Sequence, residues 1–364
     1  MTITGTLARY FGMRFLITLV AVLLGIFSLV ILLDYVETMR RFSDAPNVSA
    51  LIVAKTSLFR VPQITERILP FCVLIGAMSC YLSLSRKLEL VVSRAAGMSA
   101  WQFIAPAVIV ALGVGVIATT IYNPIAAVLQ EKAKRLEADL TGNNEAGLQA
   151  TVNGFWVSQR SDKGQSILNA PTSRDQGAVL NNVTAFVFDH DNRFLERVAA
   201  ASATLRSGHW QLDDALVYAP GEPPREVAQY DLATNLTPEQ VRETFSTPET
   251  VPFWQLRYFI DMAERAGLTA TGYRLQYQKL LARPFQLAAM VMLAAAFSLR
   301  FVRFGGVQKM VLGGVACGFA LYVMSKLTDD LSTAELIPPV VAAWLPAAIG
   351  AMTGFVVLLY QEDG

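Results

Sequence analysis

The sequence predicts an α-helical membrane protein with six transmembrane helices and a β-domain inserted between the third and the fourth. Hydrophobic residues make up 53% of the 364 residues and charged residues only 16%, with a mean hydropathy of +0.41. This composition is too apolar for an ordinary soluble protein. Most of the charges fall between Glu131 and Arg283. We therefore expect the two ends of the chain to lie in the membrane and the middle to form a water-facing domain.

Six segments approach the length of about 20 apolar residues that a helix needs to cross the bilayer core. They are residues 15–36, 66–85, 101–123, 280–302, 307–327 and 336–360. The second span could begin earlier, because 51–67 is mostly apolar, with a bend expected at Pro62. The uncharged run 15–33 exceeds the apolar region of a signal peptide, so we expect it to be retained as the first span.

Three spans on each side of the β-domain place that domain on the membrane face opposite both chain termini. With the termini inside, arginine and lysine are slightly more numerous in the inner segments than in the short outer ones. The tendency of positive residues to remain inside therefore favours cytoplasmic termini.

Alternation of apolar and polar residues predicts β-structure in the middle of the chain. Strands are expected at 154–158, 183–188, 194–205 and 209–218, with a turn at 189–192 and a proline-rich break at 220–224. Short strands of this kind indicate a sandwich or an open jelly roll. The following segment, 253–266, is amphipathic and is expected to form a helix that leads back to the membrane.

A polar interruption between the second and third spans, residues 85–102, is the strongest local signal. Read as a helix, it has one apolar stripe at helical spacing, formed by Leu88, Val91, Val92 and Ala95. Gly97 suits the end of such a helix, and Ser99 with Gln102 forms the capping box of the next. The segment is either a membrane-surface helix or a contact for a soluble partner, and Glu89 and the off-stripe Leu90 favour the partner.

The motifs that are missing from the sequence exclude several functions. There is no G-x-x-x-x-G-K-[ST] phosphate loop, so the chain should not bind ATP itself. His190 and His209 lack metal-ligand spacing, and we expect neither a metal nor a cofactor. Cys72, Cys80 and Cys317 lie in apolar runs and are interpreted as packing residues. An enzyme is therefore disfavoured.

Basic residues follow the first and the third spans. Arg40 and Arg41 come after the first, and the cations after the third are Lys132, Lys134 and Arg135. They could anchor the helix ends at the membrane surface, or they could hold the phosphates of an amphiphile. Asp34 and Glu37 weaken the positive field of this cluster.

Four sequence segments resemble the permease family of the lipopolysaccharide exporter, LptF and LptG. They are residues 86–97, 7–11, 234–238 and 337–339, and the similarity extends over essentially the whole chain. The run Glu-Leu-Val-Val at 89–92 and the two arginines after the first span are more similar to LptG than to LptF.

The resemblance implies a subunit of a bacterial inner-membrane ABC transporter, with both termini cytoplasmic. Its expected domains are 1–135 with a coupling helix at about 86–97, a periplasmic β-jellyroll with a return helix at 136–265, and 266–364. The implied partners are an LptF-like permease, two LptB-like ATPase subunits, and LptC-like and LptA-like periplasmic proteins. Lipopolysaccharide is the implied substrate, and no nucleic acid is involved.

The resemblance also assigns roles to particular residues. The segment around Glu89 would contact the ATPase through four residues, Arg86, Glu89, Leu90 and Arg94. The lipid phosphates would be bound by Arg40, Arg41 and Lys134. Asp34 stands where some LptG proteins have a further lysine, so that contact is expected to be lost here.

Two other functions fit the residues without the resemblance. One is a permease for another envelope lipid or lipoprotein, although such permeases usually have four spans rather than six. The other is a non-transporting scaffold whose periplasmic domain recruits envelope proteins. Copurification with a phosphate-loop ATPase would separate the scaffold from the two transporters.

Overall fold

The computed structural model describes residues 3–41, 49–140, 155–161, 164–174, 178–189, 193–206, 208–234, 248–265, 269–302 and 307–362. Its α-helices are α1 (Ile3–Arg41), α2 (Ala50–Arg86), α3 (Glu89–Ala95), α4 (Ala100–Ile117), α5 (Asn123–Leu140), α6 (Phe253–Arg265), α7 (Thr271–Val302), α8 (Val307–Thr333) and α9 (Pro339–Glu362). Within these ranges, six helices are long and apolar enough to cross a membrane. They are α1, α2, the continuous α4–α5 helix, α7, α8 and α9, which confirms the predicted six spans.

The first two spans extend well beyond the predicted segments. At 1.5 Å per residue, the 39 residues of α1 reach about 58 Å, nearly twice the hydrocarbon thickness of about 30 Å. The second span begins at Ala50, as the mostly apolar segment 51–67 suggested. The helix α2 continues through Pro62 and Pro70. The ends of both helices therefore project beyond the hydrocarbon.

The third span contains one turn of π-helix, Ala118–Tyr122, between α4 and α5. At this level it packs closely against α7. A Cβ atom on Gly115 would lie 2.4 Å from the Cα of Pro284, so only glycine permits this approach. Four residues on, the Thr119 hydroxyl donates a hydrogen bond to the Leu280 carbonyl at 2.9 Å.

One apolar core joins the helices α1, α2, α4 and α7. Its largest fully buried side chains include Phe15, Leu19, Leu74, Leu84, Phe103 and Ile104. Cys72 and Cys80 are buried and Cys317 is half-buried, in agreement with a packing role. Many apolar side chains on the opposite helix faces are exposed, which suits helices surrounded by lipid.

The inserted domain contains a seven-stranded antiparallel sheet. Its strands are β1 (Phe155–Ser161), β2 (Gly164–Ala170), β3 (Thr172–Arg174), β4 (Val179–Phe188), β5 (Phe194–Arg206), β6 (His209–Tyr218) and β7 (Arg225–Ala233). The predicted hairpin is confirmed, because β4 pairs with β5 and Phe188 lies opposite Phe194. The strand β6 has the predicted bounds, whereas β2, β3 and β7 were not predicted.

The described strands follow one another across a single sheet, in the order β1-β2-β4-β5-β6-β7, with β3 paired to β4. Trp210, Leu212 and Leu168 are fully buried in a core of their own on one face of this sheet. The double-sheet arrangement of a jelly roll therefore stays a prediction. The predicted turn residues 190–192 and most of the segment 234–238 lie outside the described residues.

The predicted amphipathic helix after the sheet is confirmed as α6. Leu256 and Ala263 are buried on one side of it, and Trp254 and Tyr258 are exposed on the other. The Trp254 indole nitrogen donates a hydrogen bond to the Thr120 carbonyl at 3.1 Å, which ties the start of α6 to the π-turn of the third span.

Candidate functional site

The segment between the second and third spans is a short helix with well-defined ends. The helix α2 stops at Arg86, and the chain reverses at Leu88, whose φ of +59° lies in the left-handed region that leucine rarely adopts. The helix α3 then covers only Glu89–Ala95, which is shorter than the predicted 86–97. Gly97 takes a φ of +82°, as expected for a residue that ends a helix.

The next helix also begins as the sequence predicts. The Ser99 backbone N–H donates to the Gln102 Oε1 at 3.3 Å, one of the two bonds of the capping box. The helix α3 is thus held between two fixed turns.

The apolar stripe of α3 faces away from the rest of the chain. Leu88, Val91 and Val92 are 61%, 57% and 66% exposed. Leu90, which lies off the stripe, is instead buried at 5% exposure in the core of the membrane helices. The helix therefore uses Leu90 to pack on its own chain and presents the stripe outward.

The polar residues of α3 hold it against the neighbouring helices. Glu89 is half-buried, and its Oε2 accepts a hydrogen bond from the Tyr10 hydroxyl of α1 at 2.9 Å. The Arg94 guanidinium lies 5.9 Å from the centre of the Phe103 ring in α4. Arg86, at the end of α2, is exposed.

At the opposite end of α1, the predicted basic residues are on the surface. Arg40 and Arg41 are exposed, and Arg40 forms an ion pair of 3.0 Å with Glu37. Lys134, in α5, is exposed as well. Exposed cations of this kind are accessible to a phosphate group.

Arg60 of α2 joins the helices that carry these cations. Its Nε donates to Asp34 at 3.0 Å and its Nη2 donates to Thr38 at 2.7 Å, both in α1. Its Nη1 also forms a short ion pair with Glu137 in α5. Thr38 lies within one helical turn of Arg40, and Glu137 within one turn of Lys134. The network therefore brings the basic ends of α1 and α5 to the same side of the bundle.

A second polar cluster, which sequence reasoning missed, lies inside the bundle. Glu66 of α2 and Asn123 of α5 are buried, and the Asn123 amide nitrogen is 3.1 Å from both carboxylate oxygens of Glu66. Arg283 of α7 donates to the Glu66 carbonyl at 2.6 Å. The available signal was the presence of Glu66 and Arg283 within otherwise apolar runs, since such charges are rare in a membrane span unless they have a role.

Two comparisons place the chain among known proteins. The sequence model of the family described as "Lipopolysaccharide export system permease LptF/LptG" matches residues 9–360. The chain is 23% identical to the lipopolysaccharide export system permease protein LptG of Escherichia coli (strain K12) over 350 residues, which cover 94% of this chain and 95% of that protein. It is 22% identical to the LptG protein of Haemophilus influenzae over 365 residues, which cover 98% and 97% of the two chains.

Proposed function

The chain belongs to the LptF/LptG family of lipopolysaccharide export permeases, and from this premise we propose that it is one permease half of an ATP-driven lipopolysaccharide extractor. ATP hydrolysis in a separate subunit would expel the lipid from the inner membrane onto a periplasmic bridge toward the outer membrane. The observation that carries the proposal is the outward-facing apolar stripe of α3, fixed from behind by Leu90.

The stripe supports a docked ATPase for energetic reasons. Burying Leu88, Val91 and Val92 in a partner groove would remove apolar surface from water, at about 25 cal/mol per Å². Because Leu90 packs in the core of the membrane helices and so ties α3 to the bundle, a movement of the partner would be transmitted to those helices. In this proposal Arg86, Glu89 and Arg94 surround the contact, and Leu90 positions the helix without touching the partner.

The first span supports pairing with a second permease. Only 6% of the residues in its most apolar stretch are buried within the chain, so nearly all of that stretch is at least partly exposed. We assign the remaining surface to an LptF-like subunit and to lipid. Two LptB-like ATPases would lie at the α3 end, and LptC-like and LptA-like proteins would receive the lipid from the inserted domain.

The proposed lipid site consists of Arg40, Arg41 and Lys134. Arg60 pairs with both Asp34 and Glu137, so these two carboxylates share one cation and Asp34 still counts against the cluster. Phosphate groups of an amphiphile would meet the exposed arginines at the membrane surface, where each cation contributes about 1 kcal/mol.

The proposed layout has both termini in the cytoplasm and the sheet in the periplasm. Residues 1–135 and 266–364 would form the membrane part, and 136–265 the jellyroll with its return helix. The exposed Trp254 and Tyr258 of α6 suit the membrane–water interface, which supports a return helix lying there.

The coupling step is tested by Glu89→Arg with Tyr10→Phe as the matched control. Tyr10→Phe removes the internal hydrogen bond but keeps the carboxylate, so it should retain lipopolysaccharide-stimulated ATP hydrolysis. Glu89→Arg reverses the charge at the partner contact and should abolish the stimulation of ATP hydrolysis by lipopolysaccharide. The measurement is ATPase activity of the purified complex in nanodiscs, with unchanged thermal stability as the check on folding. Full coupling in Glu89→Arg would contradict the assignment.

The lipid site is tested by Arg40→Ala combined with Arg41→Ala. Loss of two surface cations should lower the yield of lipopolysaccharide photo-crosslinking to this end of α1 by tenfold or more, at about 1 kcal/mol for each cation. Arg9→Ala is the control, because Arg9 is also exposed and lies about 46 Å away along the same helix. An unchanged yield in the double variant would favour membrane anchoring over lipid binding.

A further inference from the structure

Two helices connect the inserted sheet to the membrane spans, and one buried side chain joins the starts of both. Along the chain, α5 leads to the sheet and α6 leads away from it. Asn123 is the first residue of α5, and Phe253 is the first residue of α6. The Asn123 Oδ1 accepts a hydrogen bond from the Phe253 backbone N–H at 3.0 Å, although 130 residues separate the two. Asn123 therefore holds the entry to the inserted domain against its exit.

The other end of the Asn123 amide reaches the second span. Its Nδ2 donates to the Glu66 carboxylate, whose two oxygens both lie at 3.1 Å, and the Asn123 side chain is fully buried. Arg283 of α7 lies on the same carboxylate, with its Nη2 3.5 Å from the Glu66 Oε1. A charge buried in a membrane span is costly and points to a function. Glu66, Asn123 and the Phe253 N–H thus form one buried chain of hydrogen bonds, here called the Asn123 clamp.

The π-turn before Asn123 provides a second tie to α6. In a regular α-helix the Thr120 carbonyl would accept a hydrogen bond from residue 124, but Pro124 has no N–H. This carbonyl accepts one from the Trp254 Nε1 at 3.1 Å. Single π-turns inside α-helices are frequent at functional sites. The irregular backbone of the third span therefore receives the start of α6.

Apolar packing also holds α6 to the bundle, but with less positional precision. Leu256 and Phe259 pack with Tyr273 and Leu280 of α7. Burial of apolar surface is non-directional, whereas a hydrogen bond requires a particular distance and angle. The packing therefore tolerates small shifts of α6, and the clamp fixes where α6 starts relative to α2 and α5.

We propose that Asn123 is a positioning residue for lipopolysaccharide transport, which makes the inserted domain move together with the second and third spans. Glu66 lies about 30 Å along α2 from Arg86, so the clamp is at the opposite end of this span from α3. A displacement of α2 that begins at α3 reaches α6 through Glu66 and Asn123. The inference rests on the proposed function, and it adds the link between extraction in the membrane and release through the inserted domain.

The test exchanges the hydrogen-bonding groups of Asn123 and Glu66. In Asn123→Asp two carboxylates face each other, so the donor to Glu66 is lost while the Phe253 N–H keeps its acceptor. Adding Glu66→Gln restores the bond in the reverse direction, because the new amide at residue 66 donates to the new carboxylate at residue 123. The full transporter in nanodiscs is assayed for ATP hydrolysis and for transfer of lipopolysaccharide to a soluble LptA-like acceptor.

We expect Asn123→Asp to lower the transfer about tenfold, the effect of losing a buried hydrogen bond to a charged group. Stimulated ATP hydrolysis at the α3 end should continue, and the double variant should recover the transfer. The matched control is Thr119→Val, which removes a buried hydrogen bond from the same level of the third span without touching α6. It should retain the transfer. A role in stability alone would lower hydrolysis and transfer together, in the control as well.

A surface variant keeps the result independent of folding. Trp254 is 66% exposed, so Trp254→Phe should leave thermal stability nearly unchanged while the loss of the indole donor lowers the transfer about threefold. Tyr258→Phe alters another exposed aromatic residue of α6 and should leave the transfer unchanged.

Three results overturn the inference and leave the proposed function standing. They are full transfer in Asn123→Asp or in Trp254→Phe, parallel loss of ATP hydrolysis and transfer in these variants, and a stable double variant that does not recover the transfer. Absence of ATP-dependent transfer by the unaltered transporter defeats both the inference and the proposed function.

Discussion

Leu90 and Val92 lie two positions apart in α3 and have opposite surroundings. Leu90 is 5% exposed and packs in the core of the membrane helices, whereas Val92 is 66% exposed. In a helix, residues two apart point about 160° away from each other, so the same seven-residue helix has two apolar sides. One side anchors α3 to its chain, and the other is available to a partner.

Truncation to alanine should separate these two roles. Leu90→Ala should lower the free energy of unfolding by about 2 kcal/mol or more, because it leaves a cavity in the core. Val92→Ala should change it by less than about 0.5 kcal/mol, since its side chain contacts little of the chain. Thermal unfolding in detergent measures the stability of both variants. Copurification with the ATPase measures docking, and the yield of bound ATPase should fall for Val92→Ala. A stable, ATPase-bound Val92→Ala variant would contradict the docking surface.

At the scale of elements, the third and fourth spans meet through a glycine. Gly115 of α4 lies against the backbone of Pro284, and three residues later the span changes to a π-turn. Close approach through small residues is how membrane helices gain packing without a hydrophobic driving force. The hydrogen bond from Thr119 to the Leu280 carbonyl reinforces the same contact.

Gly115→Ala should separate these two helices, while Gly113→Ala should not. A Cβ at residue 115 would lie 2.4 Å from Pro284 Cα, whereas a Cβ at residue 113 meets nothing within 4 Å. Overpacking of this kind costs about 1–3 kcal/mol, so the midpoint of thermal unfolding should fall for Gly115→Ala alone. Equal midpoints for the two variants would show that the two helices accommodate the added methyl group at residue 115 without loss of stability.

At the scale of the whole molecule, the proposed orientation places α3 in the cytoplasm and the loop between α8 and α9 in the periplasm. Lys87 beside α3 and Leu336 in that loop are both exposed. The native cysteines lie within the spans and can be replaced by alanine, namely Cys72, Cys80 and Cys317. Single cysteines at the two exposed positions then report the orientation.

In intact cells, a membrane-impermeant maleimide should label Leu336→Cys, and it should label Lys87→Cys only after lysis. The physical reason is that three spans separate the two positions, which puts them on opposite faces of the bilayer, and cytoplasmic termini assign residue 87 to the inside. The cysteine-free chain sets the background of the labelling. Reversed labelling would contradict cytoplasmic termini.

By itself, the sequence determined the features that depend on local pattern. Span length and hydropathy predicted the six membrane helices, alternation predicted the hairpin β4–β5 and strand β6, and Gly97 with the Ser99–Gln102 box predicted the turns around α3. These features follow from residues that are close along the chain, so a single sequence contains the necessary information.

Only the tertiary structure decided which face of α3 is covered, because both faces contain apolar residues and periodicity cannot choose between them. It also decided the partners of the charges in the bundle, such as Arg283 and Glu66, which are 217 residues apart. Arg60 reaches Asp34, Thr38 and Glu137 for the same reason. An ion pair depends on which helices pack side by side, and that arrangement is set by the whole bundle rather than by the residues around either charge.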